Sequence, residues 1–199
     1  MEITAAMIKT LRDRTNAGVM DCRGALVEAD GDIDKAVDVL QKRGAASAAK
    51  KSGRETGQGL VEAYIHPGGR YGALVEVNCE TDFVARTDAF KELARDLAIQ
   101  ITATNPLYVD MEAIPAGELD AKKAQLRQDA ESEAAGKPAA VLDKMVEGRI
   151  KKYAEDVCLL DQPWVRDPEK TIRELLQTTV AVTSENIKVR RFSRFQLGE

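Results

Sequence analysis

The feature that most constrains this fold is a pair of strand-like runs joined by a turn. The runs LVEAYIH (60–66) and YGALVEVNCE (71–80) are rich in β-branched residues and partly alternate between apolar and polar side chains. Between them stands Pro67-Gly68-Gly69-Arg70, a sequence typical of a tight turn. These residues predict an antiparallel β-hairpin.

The N-terminal part of the chain predicts three short helices. Thr4 is placed to cap the first helix, and Asn16-Ala17-Gly18 to end it. A second helix is expected over 19–29, and Asp32 or Asp34 is expected to cap the third. A bundle this small has little core, so its exposed apolar residues are candidate contact points.

A change of composition between residues 44 and 59 suggests a domain boundary. The stretch GAASAAKKSGRETGQG first favours continued helix, and its later glycines favour a flexible hinge. We therefore expect an N-terminal helical domain over 1–52 and an α+β core domain over 53–199. The predicted fold class is α+β, with a three-helix bundle similar to the ubiquitin-associated type followed by a core of antiparallel sheet and packed helices.

The remaining core sequence predicts further elements. Apolar periodicity or composition indicates helices over 87–104, 116–135, 139–153 and 169–178. The 116–135 helix has few large apolar side chains and is expected to be exposed, whereas Val141 belongs to an expected buried stripe of the next helix. Trp164 lies in an expected loop between two prolines and is interpreted either as an aromatic plug for that loop or as a binding residue.

Charge and composition argue against a nucleic-acid partner. The net charge is −4, the sequence pI is about 5.3, and aromatic residues make up 5% of the chain. Such a chain lacks the extended basic field and the stacking surfaces typical of nucleic-acid binding. The terminal stretch IKVRRFSRF is strand-like, and its arginines form either a local phosphate site or the solvent-exposed face of a strand.

The usual chemical motifs are missing from the sequence. The three cysteines are far apart and outside any CxxC spacing, and His66 is the single histidine, so neither a metal site nor a Ser-His-Asp triad is expected. No phosphate loop and no GxGxxG motif occurs. Cys79 is either a nucleophile or a packed thiol. We therefore predict no enzyme activity and no cofactor.

The sequence also bears on the compartment. No apolar run approaches the roughly 20 residues that span a bilayer. The N-terminal stretch MEITAAMIKTLRDRT is amphipathic and unlike a secretory signal. We expect a cytoplasmic protein without membrane association.

An unusual junction follows the second predicted strand. In VNCETDFVARTDAF (77–90), the strand pattern runs directly into Asp82-Phe83 and then into helical sequence. From the residues alone, Asp82 is a helix cap and Phe83 a core residue, or the pair is offered to a partner.

Three segments resemble, in order, the family of bacterial translation elongation factor Ts. They are TLRDRTNAGVMDCRGALVEADGDIDKAVDVL, then VEVNCETDFVAR, then KMVEGRIKKYAEDVCLLDQPWV. Together they span nearly the whole chain. Longer members of the family carry a second half of the core domain, which we expect to be missing here.

The resemblance implies a guanine-nucleotide exchange factor that acts in translation elongation, part of protein biosynthesis. Its partner would be elongation factor Tu, in the GDP-bound and nucleotide-free states. Thr81, Asp82, Phe83 and Val84 would bind the partner. The pair Asp82-Phe83 would enter it, where the aromatic ring wedges between helices, dislodges Mg²⁺ and loosens the phosphate loop.

The resemblance further implies a docking role for residues of the N-terminal helices, namely Leu11, Arg12, Val19 and Met20. Two other readings stay open: a partner-binding module without exchange activity, and an enzyme using an unrecognised carboxylate site. If the short chain carries one copy of a core that longer relatives carry twice, a homodimer is expected to supply the other half, closing the sheet edge at IKVRRFSRF. A monomer that covers this edge with the 116–135 helix is the alternative.

Overall fold

The computed structural model describes residues 2–15, 17–134 and 136–199. They fall into two compact units, Met1–Thr102 together with Arg173–Glu199, and Ala103–Ile172. Helices and small antiparallel sheets occur together, which confirms the α+β class. Asn16, part of the predicted helix stop, and Ala135, the end of the predicted 116–135 helix, lie outside the described residues.

The first three helices are α1 (Ala5–Thr15), α2 (Val19–Glu28) and α3 (Ile33–Lys51). The Thr4 hydroxyl accepts a hydrogen bond from the Met7 N–H at 3.3 Å, so the predicted cap of α1 is confirmed. Of the two candidates for α3, Asp32 is the cap, since its Oδ1 accepts from two backbone N–H groups at 3.0 and 3.1 Å.

Tight turns and small side chains allow these helices to pack. Asp30 and Gly31 adopt left-handed φ angles of 49° and 84°, which ends α2 and redirects the chain into α3. The buried residues at the centre are Leu11, Cys22, Ala25, Leu26, Ala29 and Ala36. Because most of these core residues are small, the three helices pack closely around a small core. The likeness of this bundle to the ubiquitin-associated type stays a prediction. The domain boundary at residue 52 also stays a prediction.

A three-stranded antiparallel sheet contains the predicted hairpin. Its strands are β1 (Gln58–Ile65), β2 (Tyr71–Cys79) and β5 (Ile187–Gln196), in the spatial order β1-β2-β5. Gly68 and Gly69 have φ angles of 94° and 67°, values that glycine adopts without steric cost in the hairpin turn. The hairpin and the terminal strand are confirmed, and β1 and β5 are the edges of the sheet.

Helix α5 (Asp88–Thr104) follows the sheet in sequence and buries one apolar face. Its fully or almost fully buried apolar residues are Phe90, Leu93, Ala94, Leu97, Ala98 and Ile101. Their spacing is the one that predicted the helix, and Arg194 of β5 fastens the helix end by donating from Nε to the Thr102 carbonyl at 3.2 Å.

The unit Ala103–Ile172 contains a helical hairpin of α6 (Ala116–Glu133) and α7 (Ala139–Val157). Two short 3-10 turns, Met111–Ala113 and Leu159–Asp161, flank the hairpin. As expected, α6 is largely exposed. The stripe predicted to be buried along α7 is only half-buried, and Val141 in it is exposed, because two helices packed side by side leave much of each surface in water.

Two expectations for the C-terminal region are wrong. The predicted loop around Trp164 is a two-stranded ribbon, in which β3 (Pro163–Trp164) pairs with β4 (Asp167–Thr171). The helix predicted over 169–178 is α8 (Ile172–Thr183), because residues 169–171 complete β4. Trp164 is half-buried and its indole Nε1 is enclosed, which favours the plug interpretation.

Within residues 2–15, 17–134 and 136–199, no helix is both long enough and apolar enough to cross a bilayer.

Candidate partner-binding site

The predicted signature lies on a tight junction between a strand and one turn of helix. Strand β2 ends at Cys79, and α4 (Asp82–Ala85) begins after Glu80 and Thr81. Thr81 has an extended backbone, and its Oγ1 accepts a hydrogen bond from the Val84 N–H at 3.4 Å. Thr81 is therefore the helix cap, and the interpretation of Asp82 as the cap is wrong.

Asp82 is the first residue of α4, and its carboxylate lies at the surface. Its Oδ2 accepts a hydrogen bond from Arg86 Nη2 at 2.7 Å, across one turn of helix. An exposed pair at this spacing contributes only about 0.3–0.5 kcal/mol. Because a carboxylate has about four acceptor positions, Asp82 can still accept hydrogen bonds from another molecule.

Phe83 is the most exposed large apolar side chain among the described residues, with 78% of its surface accessible. The interpretation of Phe83 as a core residue is therefore wrong. Val84 is half-buried, and Ala85 is buried and anchors the turn. Removing a phenyl ring of this kind from water on binding is favourable by about 1.5–3 kcal/mol.

A second exposed apolar surface lies at the start of α2. Gly18 precedes the helix in an extended conformation, and Val19 and Met20 follow it with 50% and 73% of their surfaces accessible. Arg12, on α1, is also exposed. The Gly18 turn thus presents two apolar side chains without a bulky residue in front of them.

Leu11 differs from the other predicted docking residues. It is 0% exposed and lies in the core of the first three helices, so its side chain is not available for contact with a partner. This corrects the prediction that Leu11 makes contact directly. Val27, which is not among the predicted docking residues, is also exposed and lies two helical turns after Met20, on the same face of α2.

A further residue missed by sequence reasoning, Glu185, fixes the junction. The Glu185 carboxylate accepts hydrogen bonds from the N–H groups of Glu80 and Thr81, at 3.1 and 3.0 Å. It also accepts one from the Thr81 hydroxyl at 2.6 Å. Glu185 lies 104 residues away along the chain from Thr81, so no local pattern could have indicated this contact.

The described residues near the junction show little reactive chemistry. Burial, with the negative charge of Glu185 as the next cause, raises the pKa of the Cys79 thiol to about 11. Its Sγ donates a hydrogen bond to the Thr81 carbonyl at 3.1 Å. A thiol in this state is a poor nucleophile, so the packed-thiol interpretation is favoured. Throughout the described ranges, no three His, Cys, Asp or Glu side chains are grouped so that they could hold a metal ion.

Two of the three arginines of the terminal strand, Arg191 and Arg194, have partners within the protein. Arg191 Nε donates to Glu76 Oε2 at 2.7 Å, and the guanidinium of Arg194 stacks over the Tyr71 ring with its carbon 5.5 Å from the ring centroid. These contacts favour the interpretation of the basic residues as part of the sheet, and weaken that of a phosphate site.

The fold and the site define an α+β protein that holds exposed apolar side chains at the starts of two helices. A family model described as Elongation factor TS matches residues 33–199. The chain belongs to the elongation factor Ts family, which confirms the resemblance found in the sequence.

Similarity to individual proteins of this family extends over almost the whole chain. Elongation factor Ts of Heliobacterium modesticaldum is 55% identical over 197 residues, which cover 99% of this chain and 91% of that protein. Elongation factor Ts of Caldanaerobacter subterraneus subsp. tengcongensis is 53% identical, with 99% and 98% covered. That of Carboxydothermus hydrogenoformans is 54% identical, with 99% and 90% covered.

Proposed function

We propose that this protein is a guanine-nucleotide exchange factor for elongation factor Tu. It promotes the release of GDP during translation elongation by inserting Asp82 and Phe83 and disturbing the Mg²⁺ and phosphate site of its partner. The observation that carries the proposal is the exposure of Phe83, 78%, at the family signature.

The thermodynamics of exchange set the requirement for such a factor. A GTPase holds its nucleotide through a phosphate loop and Mg²⁺, so the factor must bind the nucleotide-free state more tightly than the GDP-bound state. By reciprocity, the factor weakens GDP binding by the same ratio. Each tenfold weakening of GDP binding requires about 1.4 kcal/mol of differential binding energy.

The residues at the junction suit this requirement. Phe83 supplies apolar surface for a slot in the partner, and aromatic side chains at the centre of an interface commonly contribute 2 kcal/mol or more. Asp82 supplies a carboxylate that accepts hydrogen bonds from the partner. Thr81 and Val84 shape the turn, since the Thr81 hydroxyl caps the helix at the Val84 N–H.

Docking through a second surface would add affinity without acting on the nucleotide. Val19 and Met20 are exposed at the start of α2, with Arg12 exposed on α1. In this proposal these side chains contact elongation factor Tu in both its GDP-bound and nucleotide-free states. Residues 81–84 then account for the tighter binding of the nucleotide-free state relative to the GDP-bound state.

The proposed action makes and breaks no covalent bond, so the protein is an exchange factor and not an enzyme in the chemical sense. The second candidate is a partner-binding module without exchange activity. The exposed pair on α2 alone would suffice for that role, whereas an exposed ring on a second, rigid junction favours exchange.

Release of fluorescent GDP from elongation factor Tu separates the two functions. The complex is mixed with excess unlabelled GDP and a catalytic amount of this protein, and the loss of fluorescence is followed. We expect the rate of release to rise with the concentration of this protein and to approach a plateau. Binding with an unchanged rate of GDP release at saturation would support the binding module instead.

We also propose that two copies of the chain associate through the exposed face of the three-stranded sheet. Four exposed apolar side chains occupy this face, here called the outer face: Val61, Ile65, Leu74 and Phe195. The register places Ile65 and Phe195 on either side of Gly72, so the two side chains flank a position without a side chain. Among the described residues, strand β5 pairs with β2 alone, which leaves its other edge for a second copy.

A further inference from the structure

Two carboxylates hold the junction that presents Phe83. Each of them accepts hydrogen bonds from the chain segment that carries the other. Glu185 accepts three hydrogen bonds from Glu80 and Thr81. In return, Glu80 Oε1 accepts a hydrogen bond from the Asn186 N–H at 2.6 Å. This bond, with a smaller contribution from Arg54, lowers the pKa of the Glu80 carboxyl. We call Glu80, Thr81, Glu185 and Asn186 the carboxylate clamp.

Helix α4 depends on contacts of this kind because it is only four residues long. One turn of helix fixes several dihedral angles for very few hydrogen bonds, so it is unstable by itself. The Thr81 hydroxyl does two things at once: it donates to Glu185 at 2.6 Å and accepts from the Val84 N–H at 3.4 Å. Glu185 thereby orients the hydroxyl that caps the turn carrying Phe83.

The clamp also connects the junction to the segment that follows α3. The Asn186 side chain is buried, and its Nδ2 donates to the carbonyls of Ser52 and Arg54 at 3.3 and 2.8 Å. Arg54 Nη1 lies 3.3 Å from Glu80 Oε1. The polypeptide leaving the N-terminal helices is thus held by the same residues that hold the signature.

We propose that Glu185 is a positioning residue for nucleotide exchange. Its carboxylate holds the Thr81 cap, and through it the ring of Phe83, in the orientation that enters the GTPase. This inference rests on the proposed exchange function. Loss of the Glu185 side chain therefore lowers the rate of GDP release from the assembled complex and leaves docking through α2 largely unchanged.

The test measures fluorescent GDP release from elongation factor Tu with wild type and the Glu185→Ala variant, at varied concentrations of the GTPase complex. We expect kcat to fall about tenfold or more. A displacement of the Phe83 ring by about 1 Å from the orientation that enters the partner is enough for a rate loss of this size. We expect KM to change less than about threefold, since the surface on α2 is untouched. Glu131→Ala is the matched control: it removes a carboxylate that pairs with Arg127 on α6 and is expected to keep wild-type kinetics.

A second measurement tests the carboxylate clamp independently of nucleotide exchange activity. Amide hydrogen exchange at Val84 and Ala85 in the free protein is expected to become faster in Glu185→Ala, because their acceptors are the hydroxyl and the carbonyl of Thr81. Unchanged kcat in a folded Glu185→Ala protein would overturn the inference. So would unchanged amide exchange. If wild type itself leaves GDP release unaccelerated, the exchange function fails, and amide exchange still decides whether Glu185 fixes the turn.

Glu185→Gln covers the case in which the alanine variant fails to fold. Glutamine keeps the length of the side chain and one acceptor oxygen for the backbone N–H groups, but its amide cannot accept from the Thr81 hydroxyl as the carboxylate does. We expect an intermediate decrease in kcat, about threefold, with KM close to that of wild type. A kcat equal to wild type would overturn the inference.

Discussion

Phe83 and Phe90 lie within one short segment of the chain, yet 78% of Phe83 is accessible to solvent and none of Phe90 is. Phe83 lies on the single turn α4, and Phe90 in the first turns of α5, facing the core. The same residue type thus lies in two opposite environments here. Phe90 stabilises the fold, whereas Phe83 contributes little to it and projects into solvent.

This pair gives the first prediction. Phe83→Ala is expected to lower the rate of GDP release from elongation factor Tu by about 30-fold, the equivalent of a hot-spot contact of about 2 kcal/mol. Its free energy of unfolding should stay within about 0.5 kcal/mol of wild type. The matched control, Phe90→Ala, should lose about 3–5 kcal/mol of stability in a denaturant titration. A large loss of stability in Phe83→Ala would show that the ring belongs to the core.

The second prediction concerns Asp82. Asp82→Ala removes a carboxylate that pairs with Arg86 at the surface and leaves the Thr81 cap in place. We therefore expect a smaller decrease in GDP release than for Phe83→Ala, about threefold to tenfold, and almost no change in melting temperature. Comparison of both variants in one fluorescence experiment checks the order. A larger effect for Asp82→Ala would place the main contribution in the carboxylate.

The third prediction tests docking. Met20→Ala removes a side chain that is 73% exposed at the start of α2, so it should weaken binding to elongation factor Tu with little change in stability. We expect KM for exchange to rise about tenfold while kcat stays near wild type. Leu107→Ala serves as the control, since Leu107 is similarly exposed and lies in the unit Ala103–Ile172. A decrease in kcat with KM unchanged would contradict a docking role.

The fourth prediction concerns association of two copies. Light scattering at micromolar concentration is expected to give twice the 21.8 kDa of one chain. Phe195→Asp introduces a charge into the outer face and should shift the protein to the mass of one chain without unfolding it. A wild-type mass near 21.8 kDa that does not change on concentration would rule the dimer out.

The fifth prediction concerns Cys79 and alkaline pH. Burial raises the pKa of this thiol from an ordinary 9.0 to about 11 in the folded protein. A raised pKa stabilises the fold fully below the unfolded value, and this contribution is lost as the pH rises from about 9 through about 11. The free energy of unfolding should therefore fall over this range under reducing conditions, and fall less steeply in Cys79→Ala.

Reactivity provides an independent check on Cys79. At pH 8 only about one thiol in a thousand is ionised when the pKa is about 11, so iodoacetamide should label Cys79 slowly in the native protein. Denaturant should restore rapid labelling. Fast labelling of the native protein would show that the thiol is accessible and ionised.

Much of the local structure could be predicted from the sequence. The hairpin follows from alternating residues around Pro67-Gly68-Gly69-Arg70, and α5 from apolar residues at helical spacing. A cap depends mainly on the next three residues, so the sequence indicated Thr4 as the cap of α1 and narrowed the cap of α3 to Asp32 or Asp34. Three segments in order, with VEVNCETDFVAR at the centre, indicated the family. Each of these signals is contained in a short stretch of chain.

The tertiary structure decided which of the predicted residues are accessible. Leu11 and Met20 are both apolar residues of short helices, and only packing against the neighbouring helices buries one and exposes the other. The start of α8 was misjudged because residues 169–171 pair with β3, a contact that helical periodicity does not reveal. Glu185 looks like any surface carboxylate in the sequence, and its role at Thr81 exists only because the fold brings two segments 104 residues apart into hydrogen-bond contact. Burial and long-range hydrogen bonds depend on the whole chain at once, so local sequence could name the signature, and the fold alone determined how it is held.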